Sequence, residues 1–337
     1  MKPRVIVAPD FRTMAEVFDP PALARLDTLA EVEWGRDGPM PQAEFNTALA
    51  EATSVIFGTW HYGRDAIRHA GPSLRYLYEV AGGHRHPDLD YEACFERGIT
   101  VGSCAPAFGP AVAEMALALT LDAARLVSEG DRAFRVGEER WLHAGNEGAV
   151  TLYGKTFGFL GAGGLSVSLQ ALLEPFGGRF LAYDPWLEPE KLAARRVVSV
   201  GLEELFERSD VVFVLAVPTP ENYQLVSREL MERLGPTDIL AVISRGHLVD
   251  FEAMTDLVLG GRFRLAIDVY PGEPLDRNHR IRTAPTAVFS AHRAGAIPEA
   301  LHEIGRMVVD DLEAVLTGNE PTRLQYATPE MITHLRA

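Results

Sequence analysis

The sequence predicts an α/β protein of two domains, with a doubly wound parallel sheet in the larger one, and three features lead there. Short β-rich runs alternate with helical patterns along the chain, the rhythm of repeated strand–helix–strand units. The length of 337 residues suits about two ordinary domains. In the second half, TFGFL, DVVFVLAV, DILAVIS and FRLAIDVY are nearly continuous in apolar residues, as strands are when helices cover both faces of a sheet.

In order, VIVA (5–8), EVEW, SVIF, LRYLYEV and ITVG (99–102) read as strands, separated by helical patterns such as PQAEFNTALAEA and YEACFERG. Gly98 is a helix stop. Pro106, Gly109 and Pro110 punctuate the chain before a long apolar helix, AVAEMALALTLDAARLV, suited to a domain boundary or a subunit interface. GDRAFRVGEERW forms a second helix. From Thr156 a new series begins: strands TFGFL, RFLAYD, DVVFVLAV, DILAVIS, FRLAIDVY and TAVFS, with helices through 173 and near 202–206, 228–234 and 252–259. A last helix, PEALHEIGRMVVDDLEAVLTG, follows the final strand and returns to the first domain.

The formal charge of -15 disfavours nucleic acid and anionic membranes as partners. No export signal is visible in MKPRVIVAPD, and runs such as VVFVLAV are far shorter than the roughly 20 residues that cross a bilayer. A cytoplasmic location is expected. Cys94 and Cys104 form neither a disulfide framework nor a metal cluster and read as small core residues.

GFLGAGGLSVSLQ places Gly161 and Gly163 directly after a strand and before a helix that opens at Gly164 and Leu165. The first glycine permits a tight turn, the second lets backbone approach a pyrophosphate, and the helix N-terminus offers free N–H groups to the anion. Ser166 stands where a third glycine normally allows close helix–strand packing. Asp184 ends the next strand, eighteen residues beyond Ser166, where a carboxylate accepts from both ribose hydroxyls of NAD and repels the 2′-phosphate of NADP. The plainer reading is an ordinary βα turn with Asp184 as a strand-end cap.

Three later pieces end predicted strands: SRGHLVD with Arg245, DVYPGEPL with Asp268 and Glu273, and SAHRAG with His292. In a doubly wound sheet the carboxyl ends of the strands gather ligands. Singly, these residues also fit a surface ion pair, a loop acid and a loop histidine.

Together with AVAEMALAL, GKTFGFLGAG, AYDP and DVVFVLAVPTPEN, these segments resemble the D-isomer-specific 2-hydroxyacid dehydrogenase family over most of the chain. The resemblance implies an NAD-binding Rossmann domain at 104–295, inserted in a smaller flavodoxin-like substrate domain made of 1–103 and 296–337. It assigns Arg245, Glu273 and His292 as the catalytic set. His292 would exchange a proton with the substrate carbonyl oxygen as hydride moves to or from the nicotinamide. Glu273 would orient the imidazole, and its charge complements the imidazolium. Arg245 would offer its fork of donors to the substrate carboxylate and carbonyl oxygen.

By the same resemblance, Asp268 contacts the nicotinamide carboxamide, and Val217, Pro218, Ser244 and His292 line the cofactor. Backbone N–H groups of AGGHR, at Gly82 and Gly83, grip the substrate carboxylate, although HRHP departs from the common pattern. Further departures are Val242 for Asn, Arg293 for an apolar residue, and Phe108-Gly109 for Asn-Ala. Glu273 in place of glutamine argues against a formate dehydrogenase. Trp60 either shapes the substrate mouth or closes the small domain's core; an aromatic there, rather than arginines, points to a non-phosphorylated substrate.

The expectation is therefore an NAD-dependent enzyme acting on a small 2-keto or 2-hydroxy acid, without a metal, pairing as a homodimer through the long apolar helix and its neighbour. An NAD(H)-sensing binding protein with little turnover is the alternative. A third reading, a purely structural oligomer, leaves the strand-end charges without a task.

Overall fold

A computed structural model describes residues 2–84 and 86–336. They fall into two compact units, Met1–Phe108 with Ala296–Ala337, and Gly109–Gly295. The division lies slightly beyond the position the punctuation suggests. The reason is that the helix Ala105–Arg125 starts before Pro110 and runs through it. Proline inside a helix forfeits one backbone hydrogen bond but continues the chain when neighbouring turns hold.

The first unit carries strands β1 (Arg4–Ala8), β2 (Glu31–Trp34), β3 (Ser54–Phe57), β4 (Tyr76–Glu79) and β5 (Thr100–Ser103). Their order β5-β4-β3-β1-β2 is that of flavodoxin-like sheets, and all of these pairs are parallel. A strand the sequence did not disclose, β13 (Gln325–Tyr326), adds to β5 antiparallel. At the opposite edge, β2 carries Glu31 and Glu33, both near the Arg4 guanidinium. One face of the sheet packs on Phe45, Trp60, Ile67 and Tyr91. The other packs on the helix Pro298–Leu316 through Leu301, Ile304, Val308 and Leu312, so the last helix belongs to this unit. Buried Asp311 on that helix accepts the backbone N–H groups of Thr322 and Leu324 at 2.8 Å and the Tyr326 hydroxyl at 2.6 Å, which places β13.

The second unit holds β6 (Thr156–Leu160), β7 (Arg179–Tyr183), β8 (Val197–Ser199), β9 (Val211–Val214), β10 (Ile239–Val242), β11 (Arg264–Ile267) and β12 (Ala287–Phe289). Every pairing among these seven strands is parallel, in the order β12-β11-β10-β9-β6-β7-β8. That is the Rossmann order with one added strand, and it reverses between β6 and β9. Residues of β6, β9, β10 and β11 are buried throughout, because helices cover both faces. The short β8 was not legible, since VVS is mostly exposed at the sheet's edge.

The helix Ala105–Arg125 is long and apolar enough, by length and composition alone, to cross a membrane, beyond what shorter runs such as VVFVLAV suggest. Its Ala113, Ala116, Ala123 and Ala124 are buried in the core of the second unit. Cys94 and Cys104 are both buried and unpaired, and burial pushes the Cys94 thiol up to about 12.

Candidate active site

Because the seven strands are parallel, their carboxyl ends share one edge. Gly161 follows β6, Asp184 follows β7, Val217 lies beyond β9, Arg245 beyond β10, Asp268 follows β11 and His292 lies beyond β12.

The glycine turn is held from several sides. Gly161 adopts φ +91, and a Cβ there would come within 2.5 Å of the Ala216 backbone, so both conformation and space demand glycine. The Ala162 N–H donates to Asp184 Oδ2 at 2.8 Å, and the Ala162 carbonyl accepts from Arg195 Nη1 at 2.8 Å. Ser166 is fully buried, donates to the Gly163 carbonyl at 2.7 Å and accepts from Arg195 Nη2 at 2.9 Å. The hydroxyl thus replaces close glycine packing with a bonded contact through Arg195, a residue the sequence did not single out. Its signal was weak, an arginine in a helical turn one strand away.

The helix Gly164–Leu173 begins without a side-chain cap, so its first N–H groups, at Gly164 and Leu165, are left for an anion. A Cβ at Gly163 or Gly164 would meet nothing within 4 Å, which leaves open room above the turn. Ser244 Oγ is buried without a hydrogen-bond partner at the end of β10. A bare helix start, an open glycine surface and an orphaned hydroxyl fit a dinucleotide. Asp184 keeps carboxylate lone pairs beyond those used by Ala162 and by the Trp186 N–H at 2.9 Å. Replacing Asp184 with alanine is expected to weaken NADH binding about tenfold while NADPH binding changes less; fluorescence titration with both nucleotides checks this.

His292 and Glu273 meet. Nδ1 of the ring lies 2.6 Å from Glu273 Oε2, and Glu273 Oε1 accepts the Tyr270 N–H at 2.9 Å. With Nδ1 engaged by a carboxylate, Nε2 is the nitrogen left to exchange a proton with a ligand oxygen. His292 sits at φ +51, a left-handed conformation uncommon for histidine, and such outliers concentrate at functional sites. Asp268 enforces it: its oxygens accept the N–H groups of Arg293 at 3.0 Å and Ala294 at 3.1 Å, while its own carbonyl accepts from the His292 N–H at 2.6 Å. The Tyr270 hydroxyl, which the sequence reading missed, donates to the Ser290 carbonyl at 2.7 Å. Burial first, then the charge of Asp268, pushes this phenol up to about 12, so it remains a neutral donor joining the two loops. Arg245 is exposed, and its Nη1 donates to the Ser244 carbonyl at 2.7 Å.

Several sequence expectations are corrected. Asp268 has no exposed surface; it anchors the histidine loop instead of presenting a carboxylate to the carboxamide. Val217 is exposed beyond β9, as a residue lining a ligand there must be, whereas Pro218 is buried. Trp60 is buried among Phe45, Phe57 and Tyr62, with its Nε1 donating to the Gly63 carbonyl at 3.1 Å, so it closes a core and shapes no mouth. Gly82 and Gly83 do not hold their N–H groups free. Both donate to the carboxylate of buried Glu79, at 2.6 Å and 2.9 Å. The sequence carried a signal for this, a charged residue closing an otherwise apolar buried strand. Arg85, in the same stretch, lies outside the described residues. Among the described residues no cluster fits a metal ion.

Strand order, glycine turn and the imidazole–carboxylate pair define a nucleotide-binding α/β protein with a proton-transfer pair at its sheet edge. The family profile described as D-isomer specific 2-hydroxyacid dehydrogenase, NAD binding domain, matches residues 117–294, more than half of the chain. The chain belongs to that family. It is 30% identical over 265 residues to a glyoxylate reductase of Thermofilum pendens, covering 77% of this chain and 76% of the relative. It is 28% identical over 306 residues to a D-3-phosphoglycerate dehydrogenase of Mycobacterium tuberculosis, covering 90% of this chain but 56% of that relative, so the chain spans little more than half of that protein's length. Among solved structures, a phosphoglycerate oxidoreductase from Rhizobium etli superposes with a TM-score of 0.87 at 31% identity, covering 97% of this chain and 99% of that one.

Proposed function

We propose that the protein is an NAD-dependent reductase of a small, non-phosphorylated 2-keto acid, catalysing the reverse oxidation of the 2-hydroxy acid as well. The observation that carries this reading is the 2.6 Å contact between His292 and Glu273, placed at the same sheet edge as a dinucleotide turn. A protein that only sensed the nucleotide has no need of a proton donor held by a carboxylate.

The nicotinamide supplies or accepts the hydride when bound. The chain's own residues supply the rest. The start of the helix Gly164–Leu173 and Asp184 hold the cofactor, and the exposed Arg245 fork serves negative charge on a ligand oxygen. His292 delivers a proton to the carbonyl oxygen as it becomes a hydroxyl, with Glu273 holding the ring in place through Nδ1 and balancing its charge. In the reverse direction Nε2 takes that proton back.

Two observations support a substrate without phosphate. Arg64, in the loop that follows β3, is already engaged with the Pro87 carbonyl at 3.2 Å and with Asp90 at 3.8 Å, and His61 is paired with Asp10. We further propose that the protein works in the cytoplasm as a homodimer. The helix Val127–Val136 has no buried residue, and Phe134, Val136, Trp141 and Leu142 stand exposed at 63%, 68%, 69% and 85%, uncovered apolar side chains on and just beyond this helix that support an interface there.

Mixing the protein with NADH and glyoxylate, hydroxypyruvate, pyruvate, bulkier 2-keto acids or 3-phosphohydroxypyruvate, and following loss of reduced-nicotinamide absorbance, tests the reading. Turnover is expected with the unphosphorylated acids. Tight NADH binding with no turnover on any of them would replace the enzyme by a sensor, and preference for the phosphorylated acid would overturn the substrate class.

A further inference from the structure

We propose that Arg12 is the carboxylate-binding residue of the first unit, doing there what the backbone N–H groups of Gly82 and Gly83 were expected to do. The proposal takes the identity of the anion, a small 2-keto acid, from the function proposed above and rests on it.

The amides of 81–83 are spoken for. Glu79 has no exposed surface, and its carboxylate accepts the N–H groups of Ala81, Gly82 (2.6 Å) and Gly83 (2.9 Å) and the Ser103 hydroxyl (2.7 Å). An incoming carboxylate would have to displace one that is covalently tethered, buried and held by four donors. Such a displacement leaves Glu79 buried with only the Ser103 hydroxyl of its four donors, which is costly for a charge. The chain therefore fills its own anion nest.

A different cation is prepared beside it. Arg12 follows β1, and its Nε donates to the carbonyl of Val80, which follows β4, at 2.9 Å. Its guanidinium carbon lies 5.0 Å from the centroid of the Phe11 ring and 5.5 Å from that of Phe108. Phe108 in turn leans over Gly82, where a Cβ would come within 2.8 Å of the ring. The guanidinium plane is thus fixed by one hydrogen bond and two aromatic contacts, and among the described residues no carboxylate pairs with it. Asp10, two residues earlier, is paired with His61 instead. Fixing Nε leaves the two terminal nitrogens as a preorganised pair of donors, the geometry that matches a carboxylate. The site lies at the carboxyl ends of β1 and β4, the end of a parallel sheet where ligands collect.

Neither Phe11, Arg12 nor Phe108 was implicated by motif. Phe108 was noted only as a departure from an Asn-Ala pair, and its ring against Arg12 gives that departure a purpose.

The test compares Arg12→Gln and Arg12→Lys with the unaltered protein, using glyoxylate as substrate and oxalate as a probe that cannot be reduced. For Arg12→Gln the glyoxylate KM and the calorimetric Kd for oxalate on the NADH-loaded protein are expected to rise about tenfold to a hundredfold, the range of a lost charge-assisted pair. Its kcat should change by less than about threefold and its NADH affinity should not change. Arg12→Lys, which keeps the charge without the fork, should recover part of the loss. A rise of less than about threefold in both KM and oxalate Kd would overturn the proposal. So would parallel losses of kcat and NADH affinity in both variants, which mark a structural role. Should the unaltered protein turn over no 2-keto acid, the proposed function fails, and the oxalate titration still decides Arg12 on its own.

Discussion

Replacing His292 with asparagine is expected to lower kcat for the 2-keto acid by about a hundred- to ten-thousandfold, the worth of a positioned proton donor. Asparagine is the replacement of choice because His292 sits at φ +51, a conformation asparagine tolerates better than alanine, so the loss reports chemistry and not backbone strain. NADH affinity and melting temperature should stay close to those of the unaltered protein, since the loop is held by the Asp268 carboxylate through Arg293 and Ala294. Stopped-flow absorbance of a single turnover separates the chemical step from product release. Unchanged turnover would remove His292 from the mechanism and leave the contact with Glu273 as a surface pair.

Gly161→Ala should act on binding and stability together. A side chain at φ +91 costs about 1–2 kcal/mol before any contact is counted. The added Cβ would lie 2.5 Å from the Ala216 Cα and nitrogen, main-chain atoms that follow β9 and have no flexible end to move aside. A total of about 3 kcal/mol follows, or roughly 6–12 °C in Tm for a unit of this size. NADH affinity should fall at least about tenfold, because the turn and the helix start shift together. Thermal melts with and without NADH check both parts. A variant that melts and binds like the parent would mean that the turn is far softer than its contacts with Asp184 and Arg195 suggest.

The strands were legible because burial on both faces writes itself as unbroken apolar runs: TFGFL, VVFV and ILAV coincide with β6, β9 and β10. Edge elements were not. The strands β8 and β13 are short and partly exposed, so neither run length nor hydropathy marks them. The helix Ala105–Arg125 was expected to start only after Pro110, because local proline rules were given more weight than the packing that carries a helix through.

In the site, residues that act from strand ends were readable because parallel topology fixes where strand ends lie, as with Gly161, Asp184 and His292. What a side chain does on arrival depends on partners far away in sequence. Asp268 turned out to brace residues 25 and 26 positions later. Arg195 supports the cofactor turn from 33 residues beyond Ala162. Glu79 is the opposite case: three of its donors lie within four residues and only the Ser103 hydroxyl is distant, yet a carboxylate folding back on its own loop leaves no periodic trace.

The two borders of the smaller sheet are finished differently, and this bears on how the protein behaves in a crowded solution. Along one border the chain doubles back so that β5 meets a reversed partner, and along the other the edge strand β2 carries two carboxylates, Glu31 and Glu33, beside Arg4 of β1. An unguarded strand is a template on which further copies can add and grow into aggregates. The few residues braced by Asp311 therefore protect the molecule from its own kind, a task that no assay of turnover would reveal.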